Sequence, residues 1–227
     1  MTRKNKACIL CGATLSIDDL TCSSCAFPQQ ERTLVDWEIR KLIERDIIIV
    51  EPIINLREQL NSGGLDLRLD GFFREIRYME KGSLDLAEET PAHQLYSFND
   101  LEIDKGECYF LQPRKFVLGQ SFEYVKLPDF ITGELSGRSS LAKSGIEVHA
   151  TAGRVAHGFG GHLTFELKNP GEIPVKLRPL QRIASLMFYL TQKVETPYKG
   201  MFQHQVRIKS PKPDNDLRKL VSYFRRQ

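Results

Sequence analysis

The chain has 227 residues, 41% hydrophobic and 27% charged, enough for one sizeable core and a small appendage. Its formal charge of +3 is too mildly basic to argue for nucleic acid as the main ligand, although it suits a small anion. No run reaches the roughly eighteen apolar residues of a membrane span, and no apolar signal segment follows the basic residues 1–6, so a cytoplasmic protein without membrane contact is expected.

The first element is a pair of C-x-x-C knuckles, Cys8-Ile9-Leu10-Cys11 and Cys22-Ser23-Ser24-Cys25, ten residues apart. Tetrahedral zinc takes four soft ligands, and each knuckle sets two sulfurs on one tight turn, with Gly12 easing the first. Residues 1–30 therefore read as a small zinc-ribbon-like segment whose ligands are Cys8, Cys11, Cys22 and Cys25. Four thiolates leave no position for water, so the zinc is expected to be structural. A disulfide framework is the alternative, and a reducing cytoplasm disfavours it.

A short amphipathic helix follows over residues 34–45, with apolar residues at 35, 39, 42 and 43. Strands are then expected at 47–50, 65–69, 108–111, 116–118, 162–168, 175–177 and 183–190, punctuated by glycine and proline. Many short strands mean a barrel or sandwich. Residues 81–104 are polar and acidic and read as an insertion or surface loop. Cys108, in an apolar run, reads as a buried, inert thiol. Ser139 to Lys143 suits a short helix, since serine caps well and leucine and alanine propagate. Residues 31–205 form the main body. Residues 206–227 form a basic tail with a helix from 214, where Leu217, Leu220, Val221 and Phe224 share a face. That tail is expected to pack on a neighbouring subunit, reach over a site, or touch nucleic acid.

On a strand over 162–168, Leu163, Phe165 and Leu167 point one way and His162, Thr164, Glu166 and Lys168 the other. A half-solvated strand carries such a polar row by default. The preceding Gly137-Arg138-Ser139-Ser140-Leu141-Ala142-Lys143 changes its meaning, because two cations, two hydroxyls and a glycine on one loop suit a polyphosphate. It is not a P-loop. Glu166 is the candidate catalytic residue.

These segments resemble the dCTP deaminase branch of the trimeric dUTPase superfamily. The family's G-R-S-S-L-A-R, H-x-T-A, G-F/W-x-G and L-E-L-x-N motifs have counterparts, in the same order, at residues 137–143, 149–152, 158–161 and 165–169. Residues 177–188 correspond to its proline-led final strand, and 61–69 to its early G-A-x-x-D-x-R-L strand, so the match spans about 34–205. The resemblance implies a mainly β, distorted dUTPase-like barrel with few short helices, assembled as a homotrimer with active sites between subunits. It implies hydrolysis of dCTP to dUTP and ammonia, with Glu166 moving protons and Ser139 and Lys143 beside it. Nucleotide contacts are implied for Arg138, Ser139, Ser140, Leu141, Ala142, Lys143 and Ala152, for Phe159 on the deoxyribose, for Thr164, Phe165 and Glu166 on the pyrimidine, and for Tyr198 and Gln205 over the triphosphate. Magnesium would accompany the triphosphate. In the dUTPase branch the position of Glu166 is apolar, so a carboxylate there favours deamination. Zinc-dependent deaminases carry H-x-E before P-C-x-x-C, and neither pattern occurs, so the deamination expected here uses no protein-bound metal.

Three positions depart from the resembling pattern. Ala156 stands where I-D-P-G has its aspartate, Lys143 replaces an arginine, and Met201 replaces the lysine of K-Y-x-x-Q. These departures keep two alternatives open. One is a silent or altered-substrate nucleotide-binding protein whose zinc knuckle and basic tail recruit nucleic acid or protein, with His157 or another residue standing in for the aspartate if turnover persists. The other is a bifunctional dCTP deaminase and dUTP diphosphatase.

Overall fold

The computed structural model describes residues 5–8, 10–16, 22, 24, 31–78 and 96–210. The sequence opens on a small hairpin, β1 (Asn5–Ala7) with β2 (Thr14–Ser16). β3 (Arg32–Thr33) leads into α1 (Asp36–Glu44), the expected helix, which buries Ile39 and Leu42 completely. Glu38 is also buried in it, and the Arg32 guanidinium and the Val35 N–H satisfy its carboxylate.

The remaining elements are β4 (Ile49–Glu51), α2 (Leu56–Gln59), β5 (Leu60–Asn61), β6 (Gly64–Tyr78), β7 (Tyr96–Glu102), β8 (Tyr109–Leu111), β9 (Phe116–Lys126), β10 (Ile131–Gly137), α3 (Ser139–Lys143), β11 (Arg154–Val155), β12 (Gly160–Lys168), β13 (Val175–Leu177) and β14 (Arg182–Leu190). Among the described residues, ten strands form one sheet whose main path runs β11-β10-β14-β6-β9-β12. β8 and β13 pair separately. The mainly β architecture with few short helices is the expected one.

β6 curls this sheet. Its first residues pair with β14 and its last with β7, while β9 runs alongside the middle with a register shift between Leu69 and Phe73. Gly71 sits in that shift. A Cβ there would lie 2.4 Å from the carbonyl oxygen of Ile103, so only glycine lets the Ile103 N–H reach the Gly71 carbonyl at 2.9 Å. The curl wraps one apolar face around Leu65, Leu67, Leu69, Phe73, Phe165, Leu167, Leu186 and Phe188, all buried.

Residues 96–102 correct the expectation of a loop over 81–104, because they form β7 against β6. The pattern hid the strand because Asn99 and Asp100 pair across the ladder with Glu75 and Arg74, so side-chain polarity coexists with backbone pairing. Residues 79–95 lie outside the described residues. α3 begins after Arg138 with no side-chain cap, so serine does not cap it. Cys108 precedes β8 and is half-buried, not buried within a strand. At the start of the tail expected from 206, Ile208 is buried against Phe72 and Leu118. The helix expected from 214 lies outside the described residues.

A further buried acid lies on β9. Glu123 on β9 is fully buried and accepts from Gln59 Nε2 and the Arg68 N–H, each at 2.9 Å. Burial pushes its carboxyl up to about 7, against the pull of those donors. The folded value lies above the ordinary carboxylate value of 4.5, so its stabilising contribution is fully present below about pH 4.5 and lost as pH rises through 7. The loss is on the order of 3 kcal/mol. Glu123→Gln is therefore expected to improve in stability relative to the parent between about pH 5 and about pH 8, as read by urea unfolding. A difference independent of pH would overturn this assignment.

Candidate active site

β12 alternates as its sequence dictates: Leu163, Phe165 and Leu167 are buried, and His162, Thr164 and Glu166 face a half-exposed surface. Glu166 pairs with Leu118 of β9, and its N–H donates to the Val148 carbonyl at 2.9 Å. Its side chain is held as well, with Oε2 accepting from the Ala150 N–H at 2.7 Å. The segment after α3 thus fixes both backbone and carboxylate. A carboxylate with one oxygen on a backbone N–H keeps a defined direction, and its other oxygen can take and return a proton.

The carboxylate opens into a cavity of about 470 Å³, within the roughly 300–1,000 Å³ range of small-molecule sites. Leu118, Leu135, Val155, Phe159 and Leu163 supply its apolar wall, and Thr164, Glu166 and Gln205 its polar floor. Among the described lining residues Glu166 is the single carboxylate, and Arg154 and Lys209 are the cations.

Gln205 is buried and donates from Nε2 to the His162 carbonyl at 2.6 Å and to Thr164 Oγ1 at 3.0 Å. The carbonyl can only accept, which fixes the amide orientation. Its Oε1 is buried with no hydrogen-bond partner among the described residues. Phe159 and Tyr198 form an aromatic wall with ring centroids 5.9 Å apart. Gly158, at φ +75°, lets the chain of residue 198 lie against it, where the Tyr198 N–H donates to the His157 carbonyl at 2.8 Å.

Of the site residues named from the sequence, Ala152, Phe159, Thr164, Glu166, Tyr198 and Gln205 line this cavity. It does not bring Arg138, Ser139, Ser140, Leu141, Ala142 or Lys143 to the described lining within one chain. Arg138 is bound instead to buried Asp66, Nε to Oδ2 at 2.9 Å, with Arg182 on the same carboxylate. Ser139, Ser140 and Lys143 are exposed on α3. The Phe165 side chain is fully buried on the core face, because residue parity on β12 sets it opposite Glu166.

His157 lies outside the described lining of this cavity. Its Nε2 bonds Thr191 Oγ1 at 2.8 Å, and burial with nearby Arg154 lowers its pKa. The cavity residues that the sequence reading missed include Leu135, Arg154 and Lys209. Arg154 sits on the two-residue β11 opposite Glu134, too short a strand to show a pattern. Its one visible signal was a cation between the Thr-Ala-Gly stretch and the glycine turn.

At the other end of the chain, the sulfurs of Cys8, Cys11 and Cys22 lie within 4.8 Å of one another, and Cys11 Sγ and Cys22 Sγ are 3.7 Å apart. Zinc–sulfur bonds of about 2.3 Å in a tetrahedron set sulfurs about 3.8 Å apart, so the donor set fits the ion. Cys25 lies outside the described residues.

Comparison with known proteins follows the same lines. A family described as dCTP deaminase-like matches residues 33–191. A protein named "dCTP deaminase, dUMP-forming" from Dictyoglomus thermophilum is 39% identical over 73% of this chain and 84% of its own length. A protein of the same name from Pseudarthrobacter chlorophenolicus is 38% identical over 72% of this chain and 83% of its own. The crystal structure of 2'-deoxycytidine 5'-triphosphate deaminase from Agrobacterium tumefaciens shares the fold, with a TM-score of 0.52 at 21% identity, covering 70% of this chain and 48% of that one. The chain belongs to the dCTP deaminase-like family.

Proposed function

We propose that this protein hydrolyses the exocyclic amine of dCTP, releasing ammonia, as one step of pyrimidine deoxynucleotide metabolism. The observation that carries the reading is Glu166, the one carboxylate among the described residues that line the cavity, oriented by the Ala150 N–H.

Water adds its oxygen to C4 of the cytosine while Glu166 takes one of its protons and passes it to N3. The tetrahedral hydroxyl then gives its proton through the same carboxyl to the amine. The C4–N bond breaks, ammonia leaves, and the uracil carbonyl remains. One carboxyl serves every transfer, so Ala156 does not remove a group that this sequence of steps requires.

Release of pyrophosphate after deamination is a second reading, favoured by the relatives named as dUMP-forming. Ala156 opposes it, since the resembling pattern has an aspartate there. Purified protein incubated with dCTP, CTP and dUTP plus magnesium, which travels with the triphosphate, tests both readings. Ammonia from dCTP supports deamination, and pyrophosphate as well supports the second reading. Bound nucleotide without either product leaves a silent binder.

Ser139, Ser140 and Lys143 are exposed and away from the cavity of their own chain, which supports a homotrimer in which α3 of one subunit completes the site of the next. Sedimentation equilibrium checks it, and a monomer with full activity would overturn it. A structural zinc on Cys8, Cys11, Cys22 and Cys25 is supported by the spacing of the three described sulfurs. Metal analysis of the purified protein is expected to give one zinc per chain.

A further inference from the structure

Two cations border the cavity, and neither meets a carboxylate of the described residues. Arg154 and Lys209 line it, and no ion pair of either occurs among the described residues, whereas Arg138 and Arg182 share the charge of Asp66. Lys209 lies beyond the family match, which ends at residue 191. Its place is nonetheless fixed. The preceding Ile208 is 2% exposed against Phe72 and Leu118, and the Ile208 carbonyl accepts from Arg74 Nη1 at 2.7 Å.

The Lys209 ammonium donates to the Met201 carbonyl oxygen. An ammonium has three donors, and a neutral carbonyl leaves its charge uncompensated, so this bond orients the group without quenching it. Position 201 is where the resembling pattern carries a lysine. Here the cation is supplied to that turn from eight residues further along the chain.

A nucleoside triphosphate must put its uncharged base against Glu166 and the apolar wall. Its phosphates then need cations at the exposed border of the cavity, and Lys209 is exposed there. We infer that Lys209 is a phosphate-contacting residue that makes the site prefer a triphosphate over a monophosphate, an inference that rests on the nucleotide reading of the cavity.

The test is calorimetric titration of dCTP and dCMP into the Glu166→Gln protein with and without Lys209→Met. Affinity is then read without turnover. Loss of one charge-assisted phosphate contact is expected to weaken dCTP about tenfold or more and dCMP much less, with Lys209→Arg recovering most of the difference. The dCTP loss should also shrink as salt rises. An unchanged ratio of dCTP to dCMP affinity would overturn the inference, even if the parent protein releases ammonia. A selective loss of dCTP in a protein that releases no ammonia would uphold it while overturning the deaminase reading.

Discussion

Glu166→Gln is expected to lower kcat for ammonia release by about 100- to 10,000-fold, with dCTP affinity changed by less than about threefold. The substitution is nearly isosteric. A glutamine oxygen can still accept the Ala150 N–H that now binds Oε2 at 2.7 Å, so the strand and the cavity wall need not move. What the amide cannot do is take a proton from water and return it to the amine. An effect on kcat without a matching effect on affinity separates proton transfer from binding. Single-turnover ammonia release and equilibrium titration measure the two halves. Activity within about tenfold of the parent would mean that another group moves the protons. The described cavity residues offer no second carboxylate, and His157 is tied to Thr191.

The same residue shows what the sequence could reveal. Parity along β12 is a local property, so the split between Glu166 and its buried neighbours could be read directly from residues 162–168. The α1 face and the strands around β8, β13 and β14 were legible for the same reason. The cavity was only half legible. Its polar floor lies on one strand, but its wall draws on Ile76, Leu118 and Leu135, brought together by the curl of β6 and the pairings of β9 and β10. Such non-local pairings leave no period in the sequence. β7 was hidden by Asn99 and Asp100, whose partners Glu75 and Arg74 lie on another strand. The Arg138 motif was visible, yet its intrachain partner Asp66 sits more than seventy positions away. A cation that reads as a ligand contact therefore also has a partner within the fold.

Phe165→Ala is expected to destabilise the protein by about 3–5 kcal/mol, the range for truncating a fully buried aromatic residue. The neighbouring Glu166→Gln should change stability by less than about 1 kcal/mol. Phe165 is fully buried on the face where β12 meets the core, one residue from a carboxylate on the opposite face. Truncation removes apolar contact and leaves a cavity that the curled sheet, pinned by β9 on the same strand, has limited freedom to close. Urea unfolding of the two variants against the parent reads the contrast. At low temperature, where Phe165→Ala remains folded, its site should still bind dCTP, because the aromatic ring itself is outside the cavity lining. Loss of nucleotide affinity with unchanged stability would reverse the assignment and put the ring in the site. The expected opposite outcome would show that Phe165 and Glu166, adjacent on one strand, divide two tasks, one holding the sheet and the other carrying the chemistry.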